Sequence, residues 1–380
     1  MAPVEVKNEM LRWARERAEL TPNQLAKRFP KLGLWERGDA VPTFKQLEIF
    51  AKATYTPIGY LFLTEPPVER IPISDFRTMG GRERARPSLN LLETIYLCQQ
   101  RQSWYHDYAK SNEAPRPFVG STNRTHSIEK TAKKIREALG FDLDARREYP
   151  TWTEALRRFI EQAESLGILV MCSGVVLNNN RLKLDPREFR GFAMADEYAP
   201  LVFINGADTK AAQMFTLAHE LVHIWLGQSA VDDPDVSGGS SHETEQWCNQ
   251  VAAELLVPMK VFREELERNK GLNVDLGTLA RRFKVSTLVV LRRLLDAGRL
   301  TQKAFSLAYD EELKRLTDIP RGAAGGNFFL TEAARVSKRF ARALVASTFE
   351  GQTLYRDAFQ MLGISKVKTL QDLGTSLELR

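Results

Sequence analysis

The chain has 380 residues, 43% of them hydrophobic, which is enough to bury more than one core and predicts about two to four domains. Its three cysteines, Cys98, Cys172 and Cys248, exclude a disulfide framework or a structural zinc cluster and fit a reducing cytoplasm. A start lacking a signal pattern and the lack of any ~18-residue apolar run argue against secretion or membrane spanning, and a net charge of +6 from interleaved charges permits nucleic-acid contact without demanding it.

Residues 1–65 form the first unit. Met10, Leu11, Trp13, Ala14 and Arg17 have helical spacing, Thr21-Pro22 starts a second helix with Pro at N1, and Leu25-Ala26-Lys27-Arg28-Phe29 continues it. Together with Trp35-Glu36-Arg37-Gly38, Pro42-Thr43, Gln46-Leu47-Glu48 and Phe50-Ala51, these residues resemble a phage-repressor-type (XRE) helix-turn-helix domain. The interval from Leu25 to Trp35 is about four residues shorter than that family uses for its turn and recognition helix. Pro30 and Gly33 also stand where the groove-reading helix belongs. The expectation is a retired domain that docks on protein, either the rest of the chain, a partner or a second copy; DNA contact is the alternative.

Residues 66–125 read as a linker and a long helix. Pro66, Pro67, Gly80, Gly81 and basic charge mark the linker, and Leu92, Ile95, Tyr96 and Trp104 predict a helix from Leu89 to about Lys110. Residues 126–300 come next. Ser127 to Gly140 is an amphipathic helix with a Ser N-cap and a Gly stop, and Thr153 to Leu166 is a second helix. Ile168 to Cys172 reads as a buried strand, and Phe189 to Ala195 with Leu201 to Ile204 as a hairpin turned at Asp196-Glu197-Tyr198.

His219-Glu220-Leu221-Val222-His223 then places two imidazoles and a carboxylate at the spacing of a catalytic zinc site on a helix. Four residues advance a helix by about 400°, so both imidazoles can reach one ion, while Glu220 sits about 100° round, beside the ion. There it can take a proton from a water that the metal activates and pass it to a leaving amine. Apolar neighbours Met214, Phe215, Leu217, Ile224, Trp225 and Leu226 bury the helix, and buried polar groups need partners. Satisfied core histidines are the alternative. A third histidine ten residues after the first is excluded, because Leu226 and Ser229 occupy the Gly and His positions of that motif. Gly227 looks like a helix C′ residue, Gln228 to Ser241 a loop, and His242 to Val257 a second helix stopped by Pro258.

The run from Phe192 to Asn205, the segment Phe215 to His223, and Glu245-xx-Cys248-Asn249-x-Val251-Ala252-Ala253-Glu254-Leu255-Leu256-Val257-Pro258 resemble the ImmA/IrrE metallopeptidases. Cys248, Val251 and Val257 depart from the family pattern at packing positions and leave its polar residues intact. Ile73-Ser74-Asp75-Phe76-Arg77-Thr78 resembles a short segment common between the two domains of such proteins. The resemblance implies a zincin-like peptidase domain with zinc held by His219, His223 and Glu245, manganese being the alternative ion, and Glu220 as general base and then acid. It also implies a protein substrate, a transcriptional repressor cut under stress. Around the second helix Asn249 lies about 40° from Glu245 and could touch the ligand, whereas Glu243 and Glu254 fall about 160° and 180° away. His242, about 60° from Glu245, is the competing ligand or an oxyanion donor. Arg190, Gly191, Phe192 and Ala193 are a candidate rail for a substrate added as a strand, an ordinary paired strand being the alternative.

Residues 275–299 carry a second helix-turn-helix-like pair, with Leu279-Ala280, Phe283, Val285-Ser286, Leu291 and Leu294 at the required spacing and Arg281, Arg282, Lys284, Arg292, Arg293 and Arg299 making it basic. The resemblance assigns this pair to the peptidase domain, packed with a solvated basic face; nucleic-acid contact is the alternative. Residues 301–380 read as a helical appendage, with Gly325 to Phe329, a helix from Thr331 to Glu350 and another from Leu354 to Gly363. The fold expected is mainly α with a small β-sheet (α+β), a zincin-like domain flanked by helical domains. Expected function is a cytoplasmic zinc endopeptidase of a stress, prophage or toxin-antitoxin response, free of the membrane and open to homo-oligomer formation. The alternative is a DNA- or protein-binding regulator with a structural or idle zinc site.

Overall fold

Helices, a five-stranded mixed sheet and a two-stranded antiparallel one build an α+β chain in the computed structural model, which describes residues 4–75, 78–79, 82–83, 87–232, 243–268, 275–317 and 335–379. Contacts divide it into one unit of Met1–Pro72 with Ala85–Glu93 and a second of Ile73–Arg84 with Thr94–Arg380.

In the first unit, α1 (Asn8–Arg17), α2 (Pro22–Ala26), α3 (Leu32–Arg37) and α4 (Phe44–Ala53) close on Leu11, Leu25, Phe29, Trp35, Leu47 and Phe50. Thr21 with Gln24 and Thr43 with Gln46 form capping boxes that start α2 and α4. Gly38 ends α3 with φ +83°, a conformation that costs glycine nothing. α3 is only six residues long.

The long helix α5 (Leu89–Asn112) follows β1 (Ser74–Asp75), β2 (Thr78–Met79) and β3 (Arg82–Glu83). Next come α6 (Ile128–Leu139), capped by Ser127 and ended by Gly140, the short α7 (Leu143–Arg147) and α8 (Trp152–Ser165). Strands β4 (Leu169–Ser173), β5 (Gly191–Met194) and β6 (Leu201–Asn205) precede α9 (Lys210–Leu226). Buried on all sides from Gln213 to Trp225, α9 ends at Gly227 with φ +69°. β7 (Ala230–Asp232) follows within the stretch expected to be loop; residues 233–241 of that stretch and His242 lie outside the described residues. The sheet order is β1-β7-β5-β6-β4, with β5 antiparallel to both neighbours and the outer pairs parallel.

Helices α10 (Glu243–Leu256), α11 (Met259–Arg268), α12 (Leu276–Phe283), α13 (Thr287–Asp296) and α14 (Gln302–Thr317) complete the core around α9. Phe305 of α14 is buried in that same core, so the chain does not pass into an appendage at residue 301 as expected. The last described elements are α15 (Lys338–Phe349), α16 (Tyr355–Leu362) and α17 (Val367–Ser376). Residues 335–336 are already helical, and Ser337, at φ +71°, interrupts the predicted helix and caps α15 through its hydroxyl. Residues 325–329 and 331–334 lie outside the described residues. No helix among the described residues is long and apolar enough to cross a membrane.

Candidate metal centre

α9 and α10 pack together and bring His219, His223 and Glu245 to one point. The two imidazole Nε2 atoms lie 3.1 Å apart, Glu245 Oε2 is 3.2 Å from His219 Nε2, and Glu245 Oε1 is 3.4 Å from His223 Nε2. Donors that share one ion through ligand bonds of ~2.0 to 2.1 Å stand about 3.3 Å apart, and the separations between these three side chains are of that size, so they could hold a metal ion together. Both histidines are fully buried and Glu245 nearly so. Two aromatic nitrogens and a carboxylate converging without solvent match the donor chemistry of such an ion better than that of an apolar core.

Glu220, fully buried, lies on the next face of α9, towards β5. Asn249 is one turn beyond Glu245 on α10, 8% exposed, and its Oδ1 has no hydrogen-bond partner among the described residues. Glu243 is turned outward and pairs with Arg124 at 3.0 Å. Glu254 is buried but points away from the triad, pairing with Arg293 and receiving the Met259 N–H at 3.2 Å.

Three arginines close the far end of α10, where the last carbonyls of a helix have no partners of their own. Arg136 donates to Glu254 O at 2.6 Å, Arg146 to Leu256 O at 3.2 Å, and Arg293 to Val257 O at 2.9 Å. Burial pushes the Arg146 guanidinium down to about 9, which still leaves it charged at neutral pH. Their positive charge sits at the negative end of the helix dipole. This fixes the helix that carries Glu245. Sequence spacing does not show it, since these residues come from three separate helices.

The candidate rail is corrected. β5 has β6 on one edge and β7 on the other, with Gly191 opposite Ile204 and Asp232, and Phe192 opposite Phe203 and Val231. The Arg190 carbonyl accepts from Asn205 N at 2.8 Å. The ladder groups that an added strand would need are already in use. The rail reading failed because β7 lay hidden in an apparent loop.

The basic residues of α12 and α13 are largely spoken for. Arg293 is buried against Glu254, Arg282 pairs with Asp144 at 3.2 Å, Arg292 pairs with Asp296 at 2.9 Å, and Lys284 lies over the Trp152 ring. Arg281 and Arg299 remain exposed. The pair packs into the core beside α10 rather than offering a continuous basic face.

Residues 163–295, which contain both α9 and α10, match the family model described as the IrrE N-terminal-like domain of the peptidases. Residues 336–376 match a domain of unknown function. Over 120 residues the chain is 37% identical to the radiation response metalloprotease IrrE of Deinococcus radiodurans, an alignment covering 30% of this chain and 36% of that protein. The chain therefore spans just over a third of that relative's length. The matched region is thus similar to a metallopeptidase, a class whose members hold a metal.

Proposed function

We propose that this chain is a zinc-dependent endopeptidase that cuts a specific protein, a transcriptional repressor, during a stress, prophage or toxin-antitoxin response in the cytoplasm. One observation carries the reading: three donor atoms spaced for a single ion, with the buried Glu220 carboxylate on the adjoining face of the same helix. Zinc, or manganese in its place, would supply Lewis-acid activation of water and of the scissile carbonyl. His219, His223 and Glu245 would hold the ion. Glu220 removes a proton from the attacking water, the water oxygen bonds to the carbonyl carbon, and the carbon–nitrogen bond breaks as Glu220 returns the proton to the leaving amine. Asn249 is one turn from Glu245 and can donate its amide N–H to a ligand or to substrate. A structural ion would not need a carboxylate at 220. The response to radiation in the relative's name supports a stress context.

The experiment is a trap. Glu220→Gln should keep its metal, retain substrate and stall turnover. Proteins captured on it from the native cell should be cut by the wild-type chain supplied with zinc or manganese; captured partners that stay intact would favour a binding regulator instead.

A further inference from the structure

Gly191 of β5 faces α9 at the point where Thr216 and Glu220, one turn apart, share a helix face. A Cβ on Gly191 would lie 2.6 Å from Thr216 Cγ2, 2.8 Å from Glu220 Oε1 and 2.9 Å from the Phe203 carbonyl oxygen. Side-chain carbons do not approach heavy atoms that closely, so any other residue would displace its neighbours. The backbone is not the reason for glycine here, because φ at 191 is outside the left-handed region. Nor can the strand retreat, since Gly191 is paired with Ile204 on one side and Asp232 on the other. A glycine inside a strand that is weakened by it marks a close approach.

We propose that Gly191 is a positioning residue for the base: its missing side chain opens the niche that holds the Glu220 carboxylate against β5, and the Thr216 methyl closes the other wall. His219 and His223 occupy the neighbouring face, directed at Glu245. The niche therefore sets where Glu220 stands relative to the metal ligands while leaving those ligands untouched. The inference rests on the role given to Glu220 under Proposed function.

The test uses the full chain loaded with cobalt(II), whose visible spectrum reports its ligands, and acetohydroxamate as probe. A hydroxamate chelates the ion and donates a hydrogen bond to a carboxylate beside it, so its affinity reads the position of Glu220. Gly191→Ala, which overfills the niche, should bind acetohydroxamate about tenfold more weakly, near the level of Glu220→Ala, with cobalt content unchanged. Thr216→Ala, which widens the niche without a clash, should weaken the probe severalfold and decides the matter if the Gly191→Ala chain fails to fold. Wild-type affinity in the folded variants, or loss of cobalt from them, would overturn the inference and leave the base assignment standing. Wild-type affinity in Glu220→Ala would overturn the base assignment, and this inference with it.

Discussion

Gly120 and Gly227 meet backbone to backbone, both at positive φ, so that a Cβ on Gly227 would lie 3.0 Å from Gly120 Cα. This contact binds a strap, residues 116–122, to the end of α9: Gly120 N–H donates to Ile224 O at 3.2 Å, Thr122 N–H to Trp225 O at 3.1 Å, and Phe118 stacks on Trp225. Gly227→Ala combines left-handed strain with a collision, at a cost of about 1 to 3 kcal/mol. Urea denaturation should show the loss as a lower midpoint at unchanged slope. A midpoint equal to wild type would mean that the strap does not hold the helix end.

Glu164 gives a pH dependence. Burial pushes its carboxyl above the usual carboxylate range, opposed by hydrogen bonds from the Ser337 hydroxyl and, at 3.4 Å, the Arg339 N–H, and by the nearby Lys338 charge. With the folded value raised, its contribution to stability is present below the ordinary carboxylate range and is lost as pH rises through the folded value. Glu164→Gln keeps an oxygen for Ser337 and cannot ionise. From about pH 4.5 upward the variant should gain stability relative to wild type; parallel stability curves for the two proteins would contradict this.

The first unit should not read a DNA groove. Its six-residue α3 leaves Leu34 37% exposed, and Val41 and Phe44 beyond it are about half exposed, where groove and phosphate contacts call for polar groups. Duplex binding, if measured by anisotropy, should lack sequence preference and fade steeply between ~50 and 200 mM salt. An operator sequence whose binding survives high salt would refute the prediction.

Local signals were the legible part of this chain. Ser127 and Gly140 bounded α6, Gly227 ended α9 and Pro258 followed α10, each through a cap or a break that acts within a few residues. The histidine pair was equally plain, because helical spacing alone puts both rings on one face. What stayed hidden depended on contacts distant in sequence. β7 is three residues within a stretch of turn-forming composition, and only its pairing with β5 and β1 makes it a strand. The burial of Phe305 and the arginine caps on α10 likewise come from tertiary packing. Gly191 stands in the sequence as one residue of a strand, and its close approach to Thr216 and Glu220 shows only once α9 packs on β5.

Metal content measured on purified variants tests the central claim, that Glu245 completes a metal site with His219 and His223. Glu245→Ala should lose bound metal as severely as His223→Ala, while His242→Ala and Glu243→Ala keep it, since among the described residues of α10 Glu245 alone groups with both imidazoles, one carboxylate oxygen 3.2 Å from His219 Nε2 and the other 3.4 Å from His223 Nε2. Full occupancy in Glu245→Ala, or its loss in His242→Ala, would contradict the account.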